Sequence, residues 1–303
     1  MDVGTTLSQV DAVNESTPKM GCTDDVEDFE PVCDKPREIN ALEALRKSAL
    51  ETLGTVSAEG MAWTHSEVSV AAPLFSQEAL LRFTRARPNN AASTKMLVAS
   101  VRWRLQYGLE QKLREYAEDT SPEAERLRQA WPCGVHGIDR RGCPVYYARY
   151  GLIDFAALVK DAGFDRVLCQ ALTEQRQIEN GLLAVARAQG QHPVQVLCVA
   201  DFEGMRWGRA MASVKHFMAM QKVLDDHFPE RLHIGVVLRA PRIFSAVYAM
   251  VEPFLAADTK AKTRVHGKSA DHLAVLSEFV PMENIPEFLG GPSQSKIPGP
   301  HPS

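Results

Sequence analysis

The chain has 303 residues, 45% of them hydrophobic, enough to bury the core of one large domain or two ordinary ones, and this excludes a wholly disordered protein. Its formal charge of -4 gives no global field suited to coating nucleic acid. The charge is uneven, with ten acids and three bases in residues 1–40 and a net +3 on the remainder.

Six cysteines, Cys22, Cys33, Cys133, Cys143, Cys169 and Cys198, lack CxxC pairs or regular spacing, which argues for a reduced intracellular chain over a zinc site or disulfide scaffold. Met1 to Val10 has no cationic start followed by an apolar run, and no stretch reaches the roughly 18 apolar residues of a membrane span. Any contact with membranes is therefore expected to be peripheral, from the cytoplasm.

Residues 1–38 are acidic, poor in aromatics and interrupted by Pro18, Pro31 and Pro36, and are expected to be a disordered tail. Leu42, Leu45, Ala49 and Leu53 then recur at helical spacing, with Gly54 as a stop. Ser76 is placed to cap a helix running through Arg87 to a stop at Pro88, with Phe75 and Leu80 as a hydrophobic staple. The next helix, Ala91 to Leu105, puts Met96, Ser100 and Trp103 on one side. Together these predict a small helical unit over 39–118.

Beyond a polar stretch near Thr120, the turn residues Asp139 to Gly142 precede the β-branched and aromatic run Pro144 to Tyr150, as in a hairpin or edge strand. Leu168, Leu172, Gln175, Ile178, Leu182 and Val185 trace a helix from an N-cap at Asp165 to Gly190. Val194 to Ala200 and Ile234 to Leu238 read as strands covered on both faces, joined by a helix from about Gly208 to His227. Strand, helix, strand implies a parallel crossover, so the fold class is α/β.

Several segments resemble one family in its order. Leu80 to Arg87, followed by Trp103 and Arg104, is similar to the N-terminal helical part of CRAL-TRIO proteins. Asp139, Gly142, Pro144, Val145 and Tyr146 match that family's DxxGxPVY hairpin. Phe228 to Leu232 resembles its YPERL segment, and Ala240, Pro241, Phe244 and Ser245 its NAPxxFS segment, before Pro253, Phe254, Leu255, Thr259, Lys262, Phe288, Gly290 and Gly291. The resemblance covers about Leu74 to Pro292. It implies a CRAL-TRIO lipid-binding domain over 119–292, followed by a disordered tail over 293–303. The implied fold is the helical unit packed on a mixed, largely parallel sheet, with a hydrophobic lipid pocket closed by a gate helix.

In the Sec-fourteen-like phosphatidylinositol transfer proteins of this family, the head group is held by residues that match Arg87, Asp139, Glu230, Arg231, Thr259 and Lys262 here. Their chemistry fits a phosphodiester and a ring of hydroxyls, which need cationic donors and acceptors respectively. Read without the family, Arg87 is a solvated helix end, Glu230 and Arg231 an internal ion pair, and Thr259 and Lys262 a helix cap. The gate matches Arg242 to Ala256, where Ile243, Phe244, Val247, Met250, Val251 and Phe254 join Tyr146 as pocket and gate residues. Periodicity alone allows an ordinary core-facing helix equally well. A phospholipid holds on the order of thirty methylenes at roughly 0.8 kcal/mol each, so an open groove would not suffice.

The chain departs from the family where Pro88 replaces a common lysine, and where Met205, Arg206, Trp207, Gly208 and Arg209 stand in place of the small hydroxyl residues of phosphatidylcholine binders. Arg206 and Arg209 either begin a solvated helix or face an acidic membrane. The expected ligand is phosphatidylinositol, moved between membranes, with no cofactor and no nucleic-acid partner. The alternative is a sensor or presenter of a sterol, tocopherol-like or retinoid ligand. No GxGxxG, P-loop, GxSxG or HExxH pattern is present, so an enzyme is not expected.

Overall fold

A computed structural model describes residues 36–54, 63–189, 195–255, 257–294 and 297. The acidic stretch 1–35, most of the expected C-terminal tail and the side chain of Phe254 lie outside the described residues.

The described residues open with α1 (Pro36–Leu53), α2 (His65–Ala71), α3 (Gln77–Arg85) and α4 (Asn90–Tyr107). Leu45, Ala49, Leu80, Leu81, Phe83, Leu97 and Val101 bury together, so this unit has its own core. Ser76 caps α3 as expected, its Oγ accepting from Ala79 N at 3.2 Å, but the helix ends at Arg85, two residues short of the expected last residue Arg87. Asn89 caps α4, and Gly108, at φ 68°, closes it in the left-handed conformation that glycine adopts without strain. The polar stretch around Thr120, given no elements by the sequence, forms α5 (Leu109–Glu118) and α6 (Pro122–Gln129).

A five-stranded sheet follows in the order β1 (Cys133–Ile138), β2 (Pro144–Ala148), β3 (Val196–Asp201), β4 (Leu232–Ala240), β5 (Thr263–Gly267). β1 and β2 form the antiparallel hairpin, and the other pairings are parallel. β5 is an addition to the strands read from sequence. The hairpin places β2 inside the sheet, so β1 takes the edge.

Between strands run α7 (Phe155–Ala162), α8 (Phe164–Gln189) and α9 (Trp207–His227), then α10 (Phe244–Val251), α11 (Ala257–Lys262) and α12 (His272–Ser277). Strand alternation divides the core. Tyr146, Ala148, Val196 and Cys198 join the residues of α7, α8 and α9 on one face, while Val145, Tyr147, Leu197, Val199, Val236 and Leu238 meet Leu276, Val280, Ile285 and Leu289 on the other. The second face continues past the expected domain edge at 292, since Ser293 N donates to Ile285 O at 3.1 Å and Ile297 packs against it.

Candidate functional site

The parallel strands β3, β4 and β5 begin at one end of the sheet, beside the β1–β2 turn, and four of the six proposed head-group residues gather there. The turn is organised by Asp139, 3% exposed, whose Oδ1 accepts from the backbone N–H groups of Arg141 at 2.9 Å and Cys143 at 2.7 Å. Burial lifts its pKa to about 6, partly offset by those two donors. His233 Nε2 lies 3.9 Å from Asp139 Oδ2. Burial lowers the His233 pKa to about 4, and the neighbouring Arg141 and Lys262 push the same way, so at neutral pH this contact is not an ion pair.

Across β4, Lys262 Nζ donates to Glu230 Oε2 at 3.2 Å, and Gln195 Nε2 reaches the same oxygen at 3.4 Å. Thr259 sits one turn before Thr263, whose hydroxyl donates to the Thr259 carbonyl at 2.7 Å. Glu230 and Arg239, near opposite ends of β4, are the only non-glycine residues of positive φ among those described, at 53° and 52°. This left-handed twist lets consecutive side chains diverge, and such strain concentrates where function demands it. Glu230 faces Lys262, whereas Arg231 turns under α8.

Arg231, 9% exposed, donates to Glu179 Oε1 at 2.8 Å and to the Gln175 carbonyl at 3.1 Å. Arg82 of α3 approaches the same Glu179 oxygen at 3.8 Å, and Arg104 of α4 and Arg231 both stack on the Phe228 ring at 5.2 Å. Burial raises the Glu179 pKa, but Arg231, Arg104 and Arg82 outweigh it and hold the carboxyl below its usual range. Arg87 joins neither group. It is exposed, and its guanidinium donates to the Ala86 carbonyl at 2.8 Å.

On the helical face, Tyr146 is buried and its hydroxyl donates to Glu174 Oε2 at 2.7 Å, while Trp131 Nε1 donates to the other carboxylate oxygen. Burial raises Glu174 to about 7 despite these donors. The helix α10, at the place of the expected gate, is shorter than the expected Arg242 to Ala256 and gives way to a 3-10 turn at Glu252–Phe254. Phe244 and Val247 are buried, and Phe244 meets Phe202 at 4.7 Å and Tyr248 at 5.6 Å. Met250 departs from the predicted stripe and is 43% exposed. At about 100° per residue it lies roughly 90° around the helix from the centre of the line through Phe244, Val247 and Val251. Ile243, as N-cap, is half-buried for the same reason. At the end of β3, buried Asp201 accepts from both Arg239 Nε at 2.8 Å and Arg239 Nη2.

A cleft of about 410 Å3 separates α9 from the end of α10, lined by Met218, Ala219, Val251 and Leu255 with Lys222 and Asp225. A second, of about 610 Å3, lies between α5 and α8 and is bridged by Lys112–Asp165 and Arg166–Asp119 pairs. No described helix is long and apolar enough to cross a membrane, and no group of three or more potential metal ligands occurs among the described residues.

The profile of the CRAL/TRIO domain matches residues 128–291, from the end of α6 to the close of the sheet's second face. This chain belongs to the CRAL/TRIO domain family. Relatives of this CRAL/TRIO chain include the SEC14 cytosolic factor of Candida glabrata, 28% identical over 71% of this chain and 70% of that one. The phosphatidylinositol/phosphatidylcholine transfer protein SFH9 of Arabidopsis thaliana is 29% identical over 70% of this chain and 36% of its own. Protein real-time of Drosophila melanogaster is 28% identical over 73% and 33%. The chain thus spans about a third of the length of the fly and plant proteins. The crystal structure of Sfh5 superposes with a TM-score of 0.53 at 16% identity, covering 88% of this chain and 91% of that one, and so shares the CRAL/TRIO fold.

The residues that sequence reasoning missed are charges placed on apolar faces. Glu174 is three residues after Ala171 and four before Ile178, both buried, so it falls on the inward stripe of α8. Arg82 and Arg104 were inside quoted motifs, yet their burial depends on α3 and α4 closing over Glu179.

Proposed function

We propose that the protein binds a phospholipid, phosphatidylinositol foremost, and carries it between membrane surfaces without catalysing a reaction on it. The supporting observation is the convergence of Asp139, Glu230, Thr259 and Lys262 at the entry of β3, β4 and β5, where Lys262 offers a donor to a phosphodiester and Glu230 an acceptor to ring hydroxyls. Arg231 adds a guanidinium behind Glu230, and Arg87 is the one residue of the set that must move to reach it. The acyl chains would lie on the helical face under α10, near Tyr146, Phe244, Val247 and Val251, and the cleft between α9 and α10 offers the line along which the gate parts. The boundaries expected from sequence are a tail over 1–38, a helical unit over 39–118, the lipid-binding domain over 119–292 and a second tail over 293–303; the working boundaries start the helical unit with α1 at Pro36 and extend the domain past 292 to take in Ser293 and Ile297. Cytoplasmic location with transient membrane contact, no cofactor and no nucleic-acid partner complete the reading.

Native mass spectrometry of the purified chain with lipidomics of its extract, followed by transfer between vesicles, tests this. Phosphatidylinositol should copurify, and Lys262→Met should lower its transfer at least tenfold. A copurifying sterol, tocopherol-like or retinoid ligand would favour a sensor or presenter of such molecules. Absence of both bound phospholipid and vesicle transfer would sink the proposal.

A further inference from the structure

The chain passes from β4 into α10 through a corner that is bent at one residue. Pairing of β4 with β5 steps from Val237–Val265 to Ala240–Gly267, three residues against two, so Leu238 and Arg239 form a bulge. Arg239 sits there at φ 52°, left-handed backbone that a residue with a Cβ holds only at a cost in strain. The residues beyond it have little freedom. Pro241 keeps Ala240 extended, and Phe244 N donates to the Pro241 carbonyl at 2.8 Å where α10 begins. The direction in which α10 leaves the sheet is therefore set at Arg239.

What offsets the strain lies at the end of β3. The Arg239 guanidinium donates to buried Asp201 through both Nε, at 2.8 Å, and Nη2, and Asp201 Oδ1 also accepts from Glu203 N at 2.9 Å. A second guanidinium stands beside the same carboxylate. Arg149 Nε is 3.8 Å from Asp201 Oδ2, yet it is buried and has no hydrogen-bond partner. Glu203 does not relieve the competition, because Lys268 Nζ takes its other oxygen at 3.3 Å and Arg239 Nε is 3.9 Å away. One buried carboxylate thus lies between two guanidiniums and bonds only one of them. The Arg149 guanidinium rests 4.7 Å from the ring of Phe288, which belongs to the core under α12, whereas Phe244 of α10 packs with Ala200 and Ala240 on the opposite face.

We propose that Asp201 is the pivot of a two-position latch: bonded to Arg239 it holds α10 against the sheet, and bonded to Arg149 it lets α10 swing away. Once Asp201 turns to Arg149, nothing holds Arg239 in the left-handed region, its backbone relaxes to the extended region, and the corner that aims α10 straightens. Opening without Arg149 would leave a buried carboxylate unpaired, which is strongly unfavourable; exchanging one guanidinium for another keeps the charge compensated in both positions. Such a pair of discrete arrangements is what a switching element needs. The latch acts on α10 through the backbone at 239–241, from the face away from Phe244. It rests on the reading of α10 as the gate of the lipid pocket.

Hydrogen exchange of the full chain, stripped of lipid, reads the motion of α10 whatever lipid is carried. Arg239→Leu keeps the strain and removes the bond to Asp201, so exchange in α10 should rise roughly tenfold while α8 keeps its wild-type rates. Arg149→Met removes the alternative partner, and exchange in α10 should fall roughly threefold. A merely structural network would loosen α10 in both variants, so the opposite signs identify the latch. Should Arg239→Leu not fold, Arg239→Lys, which keeps the charge but loses the second contact, should raise exchange in α10 by a smaller factor. Transfer of phosphatidylinositol between vesicles should follow the same order, faster with Leu at 239 and slower with Met at 149. Hydrogen exchange as stated in a chain that transfers no phosphatidylinositol leaves the latch standing and removes the carrier reading. An α10 that exchanges as fast as wild type or faster in Arg149→Met, or no faster than wild type in the folded variant at 239, overturns the proposal.

Discussion

Glu230 and Arg231 are neighbours in sequence but belong to two electrostatic compartments. Glu230 meets Lys262 in a balanced pair whose side chains are 18% and 23% exposed, a setting in which water and ligand can replace either partner. Arg231 enters a dry cluster where one carboxylate, Glu179, serves more than one guanidinium. The twist at Glu230, φ 53°, is what separates them. A protein can thus place an exchangeable pair beside a fixed one by changing a single backbone conformation, and the two should respond differently to mutation, salt and pH.

The largest effect is expected on the dry side. Glu179→Gln leaves Arg82 and Arg231 without their shared carboxylate and should destabilise the fold by about 3–5 kcal/mol, as measured by urea unfolding. That loss should persist at high salt, since buried charges are screened little. A loss below about 1 kcal/mol would mean that the cluster is wetter than its burial indicates, and the contrast with Glu230 would collapse.

This contrast was only half legible in the sequence. The motifs around Asp139, Glu230, Thr259 and Lys262 pointed to one site, but Val145 to Ala148 and Leu197 to Ala200 are apolar on both faces, so their pattern did not tell which side chains face α8 and which face α12. The helices α5 and α6 were missed because Leu109, Tyr116, Ala124 and Leu127 are too few to mark an apolar stripe among so many charges. β5 was missed because Thr263, Arg264 and His266 lie on an exposed edge, where little burial shapes the pattern. The arginine cluster was hidden for a different reason. Arg82, Arg104 and Glu179 come from three helices, and no local spacing reveals that they meet.

The next effect concerns pH and separates buried carboxyls from the exchangeable pair. With Glu174 raised to about 7, the folded state holds its proton more tightly than the unfolded chain. The associated stability is present at low pH and is lost as pH rises through 7. Between pH 8 and 6.5 wild type should gain on the order of 1 kcal/mol, and Glu174→Gln should not. Below pH 6.5 the histidines oppose this trend. His227 and His233, lowered to about 4, stabilise the fold while neutral, and that contribution fades as pH falls from 6.5 towards 4. Urea midpoints at pH 8, 6.5 and 5 resolve the two, and an unchanged slope in Glu174→Gln would move the titration elsewhere.

The smallest stability effect should come from the proposed head-group pair itself. A double-mutant cycle with Glu230→Gln and Lys262→Met should give a coupling of roughly 0.2–1 kcal/mol, because an ion pair that still reaches water exchanges water contacts for a modest Coulombic gain. The coupling should shrink further in 1 M salt, where the screening length drops to about 3 Å. The same substitutions should nevertheless reduce lipid transfer far more than they reduce stability, since a phosphodiester and ring hydroxyls compete for the very groups that water already visits. Coupling above about 2 kcal/mol would make the pair a structural clamp like Glu179 and Arg231, with too much to lose by opening for a ligand.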